Sequence, residues 1–184
     1  GKPFFDRLVN ETGDLPLIAE DLGVITPEVK SLRDTLHLPG MKILQFAFDF
    51  NDKNEYLPHN IDEKNCVVYT GTHDNDTVNG WFYDPEFPRD YRDYVMDYLG
   101  MKDWSDFHWR IIREAYSTQA DLVVVPAQDI LGYGREFRMN TPGTIDCNWT
   151  WKLTKGALTD ELMGKTEKLA KMFSRIPDIE NQSD

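Results

Sequence analysis

The sequence predicts an α/β domain built on a small parallel sheet. Three features carry that reading: four short apolar runs, helical patterns between them, and a polar or glycine-rich cluster directly after each run. Runs of about five apolar, partly β-branched residues read as strands buried on both faces, the usual condition in parallel sheets. Their alternation with amphipathic segments implies right-handed crossovers. Four such strands suit either a small open sheet or half of an eight-stranded barrel. In both, sites are built at the C-terminal ends of the strands.

The first run covers 15–19 and leads into Glu20-Asp21-Leu22-Gly23. A helix is predicted next. Thr26 stands as its cap, Pro27 at the first helical position and Glu28 in the first turn, while Pro39-Gly40 stops it. Val29, Leu32, Leu36 and Leu38 are its expected buried side. The second run, 41–48, ends at Asp49, and the third, 66–70, opens into Gly71-Thr72-His73-Asp74-Asn75-Asp76. Tyr91, Tyr94, Val95, Tyr98 and Leu99 then recur at helical spacing. Residues 106–118 form another helix, with Trp109, Ile112 and Tyr116 near one stripe. The fourth run, 122–126, precedes a long glycine-spaced loop, and 163–173 is a last amphipathic segment. The polar tail 178–184 is expected to be disordered.

Composition narrows the function. The 184 residues include 20 Lys plus Arg against 32 Asp plus Glu, a formal net charge of −12. A basic face for nucleic acid or for an anionic membrane is therefore not expected. No apolar run approaches the roughly 20 residues that span a bilayer, and no signal peptide is visible. Cys66 and Cys147 are too few for a disulfide framework, so a reducing, cytoplasmic setting is the simple reading. The chain starts at Gly1 without an initiator Met, which suggests a piece of something longer.

The chemistry gathers in the post-strand clusters. An acid at a strand end can be partly desolvated, which suits Glu20 to general acid work; Asp21 is the structural member of that pair. His73, Asp74, Asn75 and Asp76 in succession either face a cleft or make local turn bonds. His and Asp also ligate divalent ions, but the four His show no HExxH-like spacing, and no metal is expected. Two carboxylates across a cleft are the minimum equipment for glycosidic chemistry. The loop from Asp129 to Thr144 lacks both phosphate-binding glycine patterns; it is either an irregular connection or a rim presenting Asn140 to a polar ligand. Trp149 and Trp151 could form a sugar platform, but core packing is the commoner use of such a pair. No Ser or Cys sits in a nucleophile setting, and Cys66 reads as core.

Taken in order, the motifs Ala19-Glu20-Asp21-Leu22-Gly23-Val24-Ile25-Thr26-Pro27-Glu28, Gly40-Met41-Lys42-Ile43-Leu44-Gln45-Phe46-Ala47-Phe48, Tyr56-Leu57-Pro58-His59-Asn60, Thr70-Gly71-Thr72-His73-Asp74-Asn75-Asp76, Asp129-Ile130-Leu131-Gly132 and Arg138-Met139-Asn140-Thr141-Pro142-Gly143-Thr144 resemble the C-terminal part of the 4-α-glucanotransferases, glycoside hydrolase family 77. The resemblance runs over roughly 15–152. It implies one partial catalytic domain over 1–184, the C-terminal half (strands five to eight) of a (β/α)8 TIM-type barrel. It implies retaining transfer of α-1,4-glucan segments between maltooligosaccharides, with glucose among the acceptors, without metal or cofactor. The general acid/base falls on Glu20 and the transition-state-stabilising aspartate on Asp74. His73, Asn75, Asn140 and Phe46 fall in substrate-contacting stretches.

Two departures accompany the resemblance. The family's nucleophilic aspartate lies in an Arg-Ile-Asp-His stretch on the fourth strand, which this sequence does not contain, and Asp49 does not take that role. Little or no activity is therefore expected of these residues alone. Cys147 stands where the family tends to have Gly, and Lys152 where it tends to have Arg. A half-barrel would also leave open sheet edges, so self-association is expected. An α-amylase-like hydrolase and a non-catalytic α-glucan-binding module are the alternative readings.

Overall fold

The computed structural model describes residues 1–13 and 17–176. The expected disorder of 178–184 concerns residues outside this set, as do Leu15 and Pro16 of the first apolar run. The chain opens with helix α1 (Lys2–Thr12), followed by α2 (Pro27–Thr35), strand β1 (Gly40–Ile43), strand β2 (Cys66–Tyr69), α3 (Val78–Phe82), α4 (Arg89–Tyr98), α5 (Phe107–Ser117), strand β3 (Leu122–Val124), α6 (Ala127–Ile130) and α7 (Asp160–Met172). The strands form one parallel sheet in the order β1-β2-β3, with Met41 opposite Val67 and Val68 opposite Val123. The second, third and fourth apolar runs thus become neighbouring strands, β1 joined to β2 by a loop with two short 3₁₀ turns and β2 to β3 by α3–α5.

The first run departs from expectation. Its described part, 17–19, is no strand. The Ala19 N–H donates to the Pro39 carbonyl at 2.8 Å, but the next donor, Met41 N–H, goes to the Asp21 side chain at 2.8 Å. A carboxylate thus takes the place of a backbone acceptor, and the pairing ends after one bond. The second run is also shorter as a strand than predicted, since Leu44–Phe46 turns into a 3₁₀ helix. The fourth stops at Val124, because Pro126 has no N–H to offer and instead caps α6. Burial follows position in the sheet. All of β1 and most of β2 are buried, whereas Leu122 and Val124 of the outer strand β3 are exposed.

The core lies between the sheet and α3–α5. Val68, Leu44, Leu57, Val78, Val95 and Ile111 are all inaccessible or nearly so, and Phe82 stacks on Phe107 with ring centroids 3.6 Å apart. Cys66 belongs to this core, its thiol pushed up to about 11 mainly by burial. Trp109 and Ile112 are buried on α5 as the stripe predicts. On α2 the expected buried face fails at Val29, which is exposed, and the buried residue is Arg33. Its Nη1 bonds Asp21 Oδ2 at 2.5 Å, with both side chains 8% exposed. Gly40 lets this pair sit against β1, because a Cβ there would collide with both partners. Among the described residues no helix is long and apolar enough to cross a membrane.

Candidate active site

Parallel pairing sends the β2 and β3 loops to the same edge of the sheet. The β2 loop turns sharply because Asn75 Oδ1 accepts both the backbone N–H and the hydroxyl of Thr72, each at 2.9 Å. The β3 loop is drawn onto it by backbone, as Asn140 N–H donates to the His73 carbonyl at 3.1 Å. Side chains complete the join. Asn140 Nδ2 donates to Asp74 Oδ1 at 2.6 Å. Arg138 donates to the Asp74 carbonyl at 2.6 Å and to the Asn140 carbonyl at 2.8 Å. His73 Nε2 lies 3.3 Å from the same Asp74 oxygen.

Trp149 closes the arrangement. It packs on His73 with ring centroids 5.0 Å apart and is 61% exposed, so it is not core as expected. A left-handed backbone at both Cys147 and Trp149, together with a bond from Trp149 N–H to the Met139 carbonyl at 2.8 Å, holds the indole outward. Beneath it lies a cavity of about 180 Å³ lined by Thr72, His73, Asn75, Asp76, Thr77, Pro126, Gln128, Asp129, Met139 and Trp149.

The floor rests on Asp129, which the sequence reading passed over. Its carboxylate accepts from Thr70 Oγ1 at 2.5 Å and from the Val78 N–H at 2.8 Å. Burial raises its pKa to about 6, against the two hydrogen bonds and with help from the charge of Asp76. Asp76 accepts from Arg135 Nε at 2.6 Å, and Gln45 Nε2 donates to the Asp76 carbonyl at 2.8 Å. The signal for Asp129 was its place three residues after the β3 run, where the chain turns back under β2.

Of the predicted site residues, His73, Asp74, Asn75 and Asn140 thus come together in one hydrogen-bonded group. Glu20 and Phe46 stand apart from it. Phe46 is half-exposed at the end of β1, edge-on to Tyr56 at 5.8 Å, and its carbonyl is held by Asn54 Nδ2 at 2.9 Å. Glu20 is exposed. Burial, and after it the charge of Glu20, raises the Tyr69 phenol at the end of β2, which sets Glu20 beside the same sheet edge. Among the described residues there is no group of three His, Cys, Asp or Glu able to hold a metal.

An edge of parallel strands that gathers acids, amides and an exposed indole around a cavity is where α/β folds build sites for polar ligands. The chain belongs to the 4-alpha-glucanotransferase family, glycoside hydrolase family 77, whose family model matches residues 1–159. It is 49% identical over 176 residues to the 4-alpha-glucanotransferase of Synechocystis, an alignment covering 95% of this chain and 34% of that protein. With the chloroplastic/amyloplastic enzyme of Solanum tuberosum it shares 43% over 169 residues, 92% of this chain and 29% of the relative. Among solved structures, an amylomaltase from Streptococcus agalactiae in complex with acarbose superposes with a TM-score of 0.87 at 30% identity, over 94% of this chain and 34% of that one. The chain therefore spans about a third of the length of the relatives it matches.

Proposed function

We propose that this chain forms the acid/base side of a retaining 4-α-glucanotransferase site, in the C-terminal half of a (β/α)8 barrel, with β1–β3 as strands six to eight and the first apolar run at the place of the fifth. Its donors would be α-1,4-glucans and maltooligosaccharides, and its acceptors maltooligosaccharides and glucose, with no metal or cofactor. Glu20 would protonate the glycosidic oxygen as the family's aspartate, which this sequence lacks, attacks the sugar carbon, and would then take the proton of the acceptor hydroxyl as that oxygen displaces the aspartate. Asp74 holds the distorted sugar through its hydroxyls and is fixed for that by Asn140. His73, Asn75, Asn140 and Phe46 line the path of the glucan, and Trp149 offers a stacking face. One observation carries the reading: two separate strand-end loops converge on Asp74 Oδ1. The acarbose held by the structural relative is in keeping with a glucan-like ligand.

The Arg-Ile-Asp-His stretch that bears the family's nucleophile is absent from this sequence. Retaining chemistry needs two carboxyl groups about 5–5.5 Å apart. The chain alone is thus a binding half, and its open sheet edges favour self-association. The free Cys66 and Cys147 accord with a cytoplasmic setting. Incubation of the purified chain with maltotriose, followed by chromatography, tests the reading. The expected outcome is no oligosaccharide ladder, together with binding of maltoheptaose that His73→Ala abolishes. A ladder would overturn the missing-nucleophile argument. Failure to bind maltoheptaose would overturn the site.

A further inference from the structure

We propose that the groove between α5 and α7 binds a small phosphorylated metabolite. Trp109, Arg110 and Arg113 of α5 face Lys165 and Lys168 of α7 across a concavity of about 420 Å³. The two cations on each helix are three residues apart, which places them on one face. In a chain of net charge −12, acids are abundant enough to neutralise such a cluster. Yet none of the four forms an ion pair among the described residues, and Asp106 is the one acid in the lining.

Two of the cations, Lys165 and Arg113, are positioned by soft contacts that leave donors free. Lys165 Nζ lies 4.0 Å over the Trp109 ring, which is 7% exposed and forms a closed floor. The Arg113 guanidinium lies 5.1 Å over Phe173, with Nη1 against Met172 Sδ at 2.9 Å, so its other N–H groups remain available. Four like charges around one concavity repel one another, and a dianion relieves that repulsion. A phosphoryl group matches the set, since guanidinium forks engage its oxygens in pairs and ammonium groups add point charge. The volume fits a small molecule. A long polyanion would meet the repulsion of the whole chain. The inference does not depend on the glucan reading, and this groove shares no lining residue with the strand-end cavity.

Isothermal titration with inorganic phosphate and with glucose 6-phosphate, at constant ionic strength, is the test. Saturable one-to-one binding is expected for at least one of them. Arg113→Gln combined with Lys168→Gln should weaken it more than about tenfold, in line with the loss of at least one charge-assisted bond, whereas Lys155→Gln should leave it unchanged. Preference for glucose 6-phosphate by about tenfold or more would identify a sugar phosphate; equal affinities would identify the phosphoryl group alone. If the first variant unfolds, Lys165→Gln with Lys168→Gln serves in its place. Absence of saturation with both probes, or unchanged affinity in a folded variant, would overturn the proposal.

Discussion

Asn140 donates to Asp74 across 66 residues of sequence, at 2.6 Å, and so makes two strand-end loops into one wall. Asp74 Oδ1 receives this donor and has His73 Nε2 within 3.3 Å. Removing the amide leaves the carboxylate without its fixed partner while keeping the backbone bond from Asn140 N–H to His73. Asn140→Ala should therefore lower maltoheptaose affinity by about tenfold, the value of one charge-assisted hydrogen bond. Tm should move by only a few degrees. Titration calorimetry together with thermal melts checks both.

Asp129 makes stability depend on pH. Its folded pKa, about 6, lies above the ordinary value of 3.8. A raised acid binds its proton more tightly in the folded state, so its stabilising contribution is complete below pH 3.8 and is lost as pH rises through about 6. The loss is on the order of 2–3 kcal/mol at about 1.4 kcal/mol per pKa unit. Asp129→Asn keeps an acceptor for Val78 and a donor towards Thr70. It should be more stable than the wild type at pH 7.5, and the two should be nearly level at pH 4, by urea denaturation.

The Arg33–Asp21 pair is buried on both sides, so its loss is asymmetric. Arg33→Met strands the Asp21 carboxylate and should cost about 3–5 kcal/mol. Asp21→Asn added to it keeps an oxygen for the Met41 N–H and should recover a large part of that loss. Chemical denaturation of the single and double variants decides.

Cys147 adopts φ 60, where a Cβ is crowded. Cys147→Gly removes a left-handed cost of about 1–2 kcal/mol and adds an entropy cost of roughly half that. A gain of about 0.5–1 kcal/mol in the melting of the chain is expected. The exposed thiol also disappears, leaving only the buried Cys66, so non-reducing gels should show no disulfide-linked dimer.

The legible parts of the sequence were those governed by local pattern. The apolar runs at β1 and β2 and the periodicity of α5 follow from burial, β3 is legible from its apolar run although Leu122 and Val124 are exposed, and Pro27 marks the start of α2. The family's place for Gly coincides with the left-handed backbone at Cys147. What stayed hidden depends on contacts between distant segments. Asp21 ends the pairing of the first run by taking Met41 N–H, which no periodicity reveals. Asp129 matters because Thr70 and Val78 reach it. Trp149 is exposed because His73 offers it a ledge and the Cys147 turn points it there. The short helix α3, where the Thr77 hydroxyl accepts from Gly80 N–H, carries too few residues for a periodic pattern to announce it.

The hold of Asp129 on the Val78 amide gives the protein a built-in reporter. That single N–H is buried and bonded to the carboxylate that also ties down Thr70 at the end of β2. Its proton can exchange with deuterium only when the knot between β2, α3 and α6 comes undone. Followed by NMR, one resonance then reads how often the site loosens, and a glucan that settles above it should slow that exchange.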